Sequence, residues 1–361
     1  MEYTMKLTPE QAAVLSGSKG ETMAKVMETL VRYGELFGAD EMVPVTSTYN
    51  HLVTSFGLKA LAPVYELMDR LIGAGAVSSQ AFSVDPKPLD KHVPSNFLQN
   101  LVFNKFMYTK QDFYEGQLKQ LGLLNDDAFT CTCYMDEVGN TPKKGDILSW
   151  SESSAVVYAN SVLGARCNRN SGIIDLMGSV IGCVPSFGLL KDEGRRADWI
   201  VEIKTTKKPE AQLLGSAVGM KVMEDVPYIK GLDKWLGDTL DEDAKTYLKD
   251  FGAATASNGA VGLYHVEHLT PEAVERHADQ RERPRVCDRR CRVAAGVRQL
   301  SGGLEKERCQ TQAVLYGMSA YEPEPAGHLD RAGGTGAKTF RKRQSGDPDG
   351  VHRRAGGVER V

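Results

Sequence analysis

At residue 275 the chain changes its choice of basic residue. Residues 1–275 hold 20 Lys and 6 Arg, whereas residues 276–361 hold 3 Lys and 15 Arg and contain no Ile, Asn or Trp. A boundary between two folded domains does not ordinarily alter composition so abruptly. The second stretch, rich in Arg and Gly, reads as an irregular, disordered tail that buries too little apolar surface to order itself. The division expected is therefore 1–275 as the folded region and 276–361 as a tail of other origin.

Composition narrows the function classes. With 361 residues and 41% hydrophobic content the chain fills one or two cores of ordinary size. A net charge of −3 gives no reason to expect nucleic acid or an anionic membrane surface as a partner. No apolar run reaches the roughly 18 residues of a membrane span, and Met1–Lys6 lacks the basic and apolar regions of a secretory signal. Seven scattered cysteines do not make a disulfide framework, so a cytoplasmic protein with reduced thiols is expected, its thiolates free to ligate metal.

Helical and strand patterns alternate through the first 275 residues. Thr8-Pro9-Glu10-Gln11 carries a capping box with Pro at the first helical position, and a second amphipathic helix runs through Val26, Leu30 and Val31. Met42–Thr46 reads as a short strand in which Pro44 favours an edge or an end. Leu58–Ile72 has helical periodicity and stops at Gly73. Ser151–Leu163 reads as a helix, Trp199–Ile203 as a strand, and Thr206–Met223 as a helix starting near Pro209, with Gly215 and Gly219 allowing close packing. Gly262–Val266 reads as a strand and Thr270-Pro271 as the next helix start. Strands alternating with helices predict a three-layer α/β architecture.

Three segments carry chemistry. Thr46-Ser47-Thr48-Tyr49-Asn50-His51 follows a strand, where α/β folds place ligands; it is equally a hydroxyl-rich turn. Thr130-Cys131-Thr132-Cys133-Tyr134 reads as a strand, and of its two thiols one at most is expected to serve a given metal; a buried inert Cys is the plainer reading. Trp150-Ser151-Glu152-Ser153-Ser154-Ala155 opens a helix whose free N–H groups suit a carboxylate or phosphate, although capping by Ser151 or Ser153 uses the same groups. Arg166 and Arg169 offer a carboxylate clamp, or are surface charges.

The order of these segments is more specific than any one of them. Thr-Cys-Thr-x-Tyr, then Gly-Asn-x-Pro-x-x-Gly, then Trp-Ser-Glu-Ser-Ser-Ala-Val and Ala-Asn-Ser-Val-Leu-Gly-Ala-Arg-x-Asn-Arg span Thr130 to Arg169. That succession resembles the aconitase X family, and Asp192–Ala197, Lys6-Leu7-Thr8 and Val43–Ser47 extend the likeness over nearly all of residues 1–275. The resemblance implies an aconitase-like catalytic domain and a hydro-lyase activity. It also implies an iron–sulfur cluster held by three cysteines as Lewis acid for the departing hydroxyl, and a separate small swivelling-domain subunit as partner.

Carried onto this chain, the resemblance makes Cys131 the first cluster ligand. Cys133 stands where many members have Pro, and is read as a substitution. Substrate-binding residues are expected at His51, Val53 and Thr54, at Asp85 and Pro86, at Glu152, Ser153 and Ser154, and at Arg169; the catalytic base is left unassigned. Phosphate-handling members resemble Ser-Gly-Val-Ser-Tyr-Lys where this chain has His51–Phe56, and many have Asn-Pro in place of Asp85-Pro86. Losing a glycine, a hydroxyl and a lysine while gaining a carboxylate disfavours phosphate. Of the family's substrates, a cis-3-hydroxyproline-like amino acid is thus favoured over mevalonate 5-phosphate.

The family's other two cysteine ligands should follow residue 275, one in a Gly-Cys-Pro-His segment, and Cys287, Cys291 and Cys309 have no such setting. A nucleic-acid-binding arm is disfavoured because aromatic residues for stacking are nearly absent. Back-translation offers another account. Codons can be chosen for Leu315–Ala326 that, read one base later, spell Phe-Met-Gly-Cys-Pro-His-Met-Ser-Leu-Asn-Gln, and with the same offset Asp279–Ser301 can read as a helix end, strand and helix. The expectation is a frameshift between about Glu275 and Asp279. A chain so altered is either a dehydratase large subunit by descent, a non-catalytic remnant unable to hold a cluster, or a small-anion-binding module.

Overall fold

The computed structural model describes residues 3–52, 57–88, 96–273, 289–291 and 314–315, all within one unit, Met1–Met318. Helix α1 (Pro9–Leu15) opens with the expected capping box, in which the Thr8 hydroxyl accepts from the Gln11 N–H while the Gln11 side chain accepts from the Thr8 N–H. Helix α2 (Glu21–Leu36) buries Val26, Met27, Leu30 and Val31 on one face. It lies so close to strand β4 (Cys183–Pro185) that a Cβ on Gly34 would come within 2.6 Å of the Pro185 side chain. Strand β1 (Met42–Pro44) pairs antiparallel with β4, each ending in proline, which has no N–H to continue a ladder.

The site is positioned by a parallel arrangement beneath these helices. Strands β2 (Asn50–Leu52) and β3 (Phe82–Val84) pair in parallel with His51 opposite Ser83. Trp150 joins the outer edge of β2 through a parallel bridge to His51, and Leu123 and Phe129 join the other edge of β3. Helices α3 (Ala62–Gly73), α5 (Gln111–Leu121) and α7 (Gly172–Ile181) contribute Met68, Leu71, Leu118, Leu121, Leu176 and Val180 to the core around this group. Each fully buried Leu or Phe adds about 1.5–3 kcal/mol over its exposed state.

A second core centres on parallel strands β5 (Trp199–Ile203), β6 (Pro227–Lys230) and β7 (His265–Val266). Strands β8 (Arg289–Cys291) and β9 (Val314–Leu315) also pair in parallel with β5. Helix α8 (Ala211–Val222) packs on α10 (Glu242–Asn258), and the two predicted glycines make that possible. A Cβ on Gly215 would lie 2.4 Å from the Phe251 carbonyl oxygen, and one on Gly219 2.6 Å from that of Thr255. Helix α6 (Ser153–Tyr158) passes into a π-helical turn, Ala159–Leu163, which together replace the single helix expected. The predicted strand 262–266 is regular only at β7, and the chain becomes helical again at Pro271.

A buried polar joint lies beside the second core. Arg195 is 1% exposed. Its guanidinium donates to Glu272 Oε1 from Nε at 2.6 Å, to the Asn160 side-chain oxygen and the Leu189 carbonyl from Nη1, and to the Asn160 carbonyl from Nη2. The Asn160 amide in turn donates to the carbonyls of Cys167 and Gly262, and its side-chain oxygen accepts from the Cys167 N–H. The Arg195 carbonyl contacts His265 Nε2 at 2.9 Å.

Candidate active site

Because Phe129, β3, β2 and Trp150 all run in parallel, the residues that follow them gather at one carboxyl edge, the usual ligand position of an α/β sheet. Cys131 follows Phe129, Asp85 follows β3, and Glu152 follows Trp150. Val53 and Thr54, which follow β2 and were expected to bind substrate, lie outside the described residues, as do Cys287, Cys309 and most of the tail.

His51 is not in a loop, as its hydroxyl-rich flank suggested; it is the middle residue of β2 and is 0% exposed. Strand register explains its partners. Ser83 lies directly opposite and Asp85 two residues further along the same face. Nδ1 of His51 is 2.9 Å from Ser83 Oγ, and Nε2 is 3.5 Å from Asp85 Oδ1. Nε2 and Oδ1 are both buried, and neither has a hydrogen-bond partner among the described residues, their mutual contact at 3.5 Å falling short of one; an unmade hydrogen bond at such atoms costs about 1–3 kcal/mol. The Asp85 side chain is 18% exposed although its Oδ1 is buried. Burial raises the Asp85 pKa, the nearby Glu152 charge adds to the rise, and the His51 contact works against it. Pro86 is exposed beside it.

The helix start at Glu152 differs from the expectation of an open anion site. Glu152 is itself the N-cap. Its carboxylate accepts from the N–H groups of Ser154 and Ala155 and from the Ser154 hydroxyl, and Ser153 Oγ lies at its rim. Neither Ser151 nor Ser153 caps. The groups that would have received a phosphate or carboxylate are already held by the protein's own acid.

Cys131 and Cys133 occupy turns, not a strand, after Thr130, whose hydroxyl accepts from the Thr132 N–H. A strand would have set both thiols on one face; the turns set them apart, Cys131 exposed and Cys133 buried. Burial raises both thiol pKa values, Cys133 the more strongly, and the Glu152 and Asp85 charges push the same way. Among the described residues no group of three His, Cys, Asp or Glu could hold a metal ion. These residues alone do not build the three-thiolate site of an iron–sulfur cluster, and only Cys131 stands at the edge where one of its ligands would be.

The two arginines separate. Arg166 donates to the Leu190 carbonyl and pairs with Asp192, a tie between loops away from the site. Arg169 is half-buried against the carbonyls of Val261 and Ala256. Burial lowers its pKa, and the charge of Glu152 partly opposes that. The site therefore sets two carboxylates, Asp85 and Glu152, against one arginine. Ser83 was the residue sequence reasoning passed over. Its position two before Asp85 in a strand was the available sign.

A parallel α/β unit with an acid-rich carboxyl edge, a turn-borne thiol and a second α/β core defines a class of small-molecule enzyme scaffold. Comparison with known proteins places it: family models for the aconitase X first domain and the aconitase X second domain match residues 4–193 and 197–295, and the chain belongs to the aconitase X family. It is 34% identical over 281 residues to the phosphomevalonate dehydratase large subunit of Thermococcus kodakarensis, covering 77% of this chain and 66% of that one. It is 28% identical over 278 residues to the cis-3-hydroxy-L-proline dehydratase of Hypocrea jecorina, covering 75% and 43%. The crystal structure of Thermococcus kodakaraensis aconitase X in its holo form aligns with a TM-score of 0.62 at 33% identity, over 75% of this chain and 64% of that one, which bears out the aconitase-type α/β fold. The chain thus spans 66% and 62% of two of the relatives it matches.

Proposed function

We propose that the chain is a hydro-lyase large subunit by descent, built to eliminate water from a small hydroxy acid. In such a step a C–H and a C–O bond break, a C=C bond forms, and hydroxide must be helped to leave. The observation that carries the reading is the edge itself: a partly exposed Asp85 side chain, a self-capped Glu152, and Arg169 behind them. That balance suits a zwitterion, its ammonium toward Asp85 and its carboxylate toward Arg169. A phosphate would meet two carboxylates and a helix start already filled. We therefore favour a cis-3-hydroxyproline-like amino acid over mevalonate 5-phosphate. Whole-chain identity is higher to the phosphomevalonate enzymes, but identity summed over a scaffold weights the core, while the choice of substrate rests on the few residues at the edge.

Calorimetry with the two compounds tests this reading. Binding of cis-3-hydroxy-L-proline that is weakened in D85N and unmatched by mevalonate 5-phosphate supports it; the reverse preference overturns it. An iron–sulfur cluster with Cys131 among its ligands, and a separate small subunit, belong to the same proposal. The relatives' name, large subunit, supports the second of these.

A second reading follows from the missing ligand trio among the described residues: a non-catalytic remnant, or a small-anion-binding module, that cannot hold the cluster. Iron and sulfide analysis of the purified chain separates the readings. We further propose that residues from about 276 onward are read out of frame. The coding DNA around codons 270–285 decides it, since a single-base change must restore the Gly-Cys-Pro-His frame.

A further inference from the structure

We propose that His51 is a positioning residue that fixes the Asp85 carboxylate by donating Nε2–H to Oδ1, leaving Oδ2 as the oxygen offered to a substrate's ammonium group. What Asp85 does for the substrate rests on the amino-acid reading above; how it is held does not.

The argument is one of tautomers. His51 has two side-chain neighbours on the same sheet face, Ser83 Oγ at 2.9 Å from Nδ1 and Asp85 Oδ1 at 3.5 Å from Nε2. With the proton on Nε2, the Ser83 hydroxyl donates to Nδ1 and Nε2–H faces the carboxylate oxygen 3.5 Å away, so a closure of a few tenths of an ångström gives every buried polar atom in the row a partner. With the proton on Nδ1 alone, Nε2 and Oδ1 face each other as two acceptors, both buried and both without another partner. The backbone fixes the row. Ser83 and His51 are opposed in the parallel register, the Ser151 N–H donates to the His51 carbonyl, and the indole of Trp150 stands edge-on to the imidazole at 6.0 Å.

Two measurements on the full chain test this. Nitrogen-15 NMR of histidine-labelled protein reads the His51 ring directly. The expected result is a proton on Nε2, with a resonance that moves in D85A; an unprotonated Nε2, or one indifferent to D85A, overturns the proposal whatever the substrate. Binding of cis-3-hydroxy-L-proline is then compared with that of 2-hydroxycyclopentane-1-carboxylate, which lacks the nitrogen. H51Q should shrink the preference for the amine about tenfold, as loss of one charge-assisted hydrogen bond would, and S83A should shrink it less. General loss of structure would weaken both ligands alike and leave their ratio unchanged. An unchanged ratio in H51Q, with a diminished one in D85N, overturns the positioning role and keeps the amine site. No preference in the unsubstituted protein overturns the amine site, and the NMR result still decides how Asp85 is held.

Discussion

Arg195 and Glu272 form an ion pair in which the arginine is wholly enclosed and the carboxylate only partly so. The guanidinium has surrendered its hydration to this one acid and a ring of oxygen acceptors. E272Q leaves the positive charge buried without its counter-ion, and should lower the unfolding free energy by about 3 kcal/mol. Urea denaturation checks it; a change below about 1 kcal/mol would show the pair behaving as an exposed one.

Two helix glycines should respond to the same substitution with opposite signs. G219A drives a methyl group into the α10 backbone and should destabilise by about 1–3 kcal/mol. G116A, inside α5 with nothing within 4 Å of the new Cβ, should stabilise by about 0.5–1 kcal/mol through helix propensity. Melting temperatures moving the same way in both variants would contradict the packing described.

Asp175 is fully buried on α7, where its Oδ1 accepts from Ser149 and Asn170 and its Oδ2 has no partner. Burial pushes its pKa up to about 8. Between pH 4 and 8 the unfolded chain releases this proton while the folded chain keeps it. Its contribution is therefore complete below pH 4 and declines until about pH 8, on the order of a few kcal/mol. D175N, which mimics the protonated acid, should be the more stable protein at pH 8 and show a flatter profile. Denaturation at pH 5 and pH 8 tests this, and equal slopes for the two proteins would refute it.

Of the four cysteines whose side chains are described, Cys131 is the exposed one. Brief treatment of the native chain with iodoacetamide should modify Cys131 while Cys133 and Cys167 react only after unfolding, because their thiols are enclosed and held protonated by burial. Peptide mass mapping gives the order. Early labelling of Cys133 would mean that the turn after Thr130 is not as described.

The fold was legible wherever a local rule had one solution. The capping box at Thr8, the prolines closing β1 and β4, and the glycines between α8 and α10 follow from side-chain chemistry within a few residues. The site was legible as a set of segments but not as geometry. Nothing near His51 in sequence indicates that it faces Ser83, because that contact is set by the parallel register of two strands 32 residues apart. The helix start offered Ser151 or Ser153 as its cap, and the structure caps it with Glu152. The burial of Arg195 was not legible, because it depends on Asn160, Leu189 and Glu272, from three separate stretches. The cysteine pair reads as a strand, whose i, i+2 spacing would set both thiols on one face; it lies in turns, and one thiol is exposed while the other is buried.

The run from Glu152 to Leu163 has a consequence for how this family can vary. At its start Glu152 stands at the carboxyl edge; eight residues on, inside the π-helical turn, Asn160 holds the buried Arg195 joint. A single rod carries both. Inserting or deleting one residue along it would swing Asn160 by about 100° relative to Glu152, so the edge and the joint depend on one shared residue count.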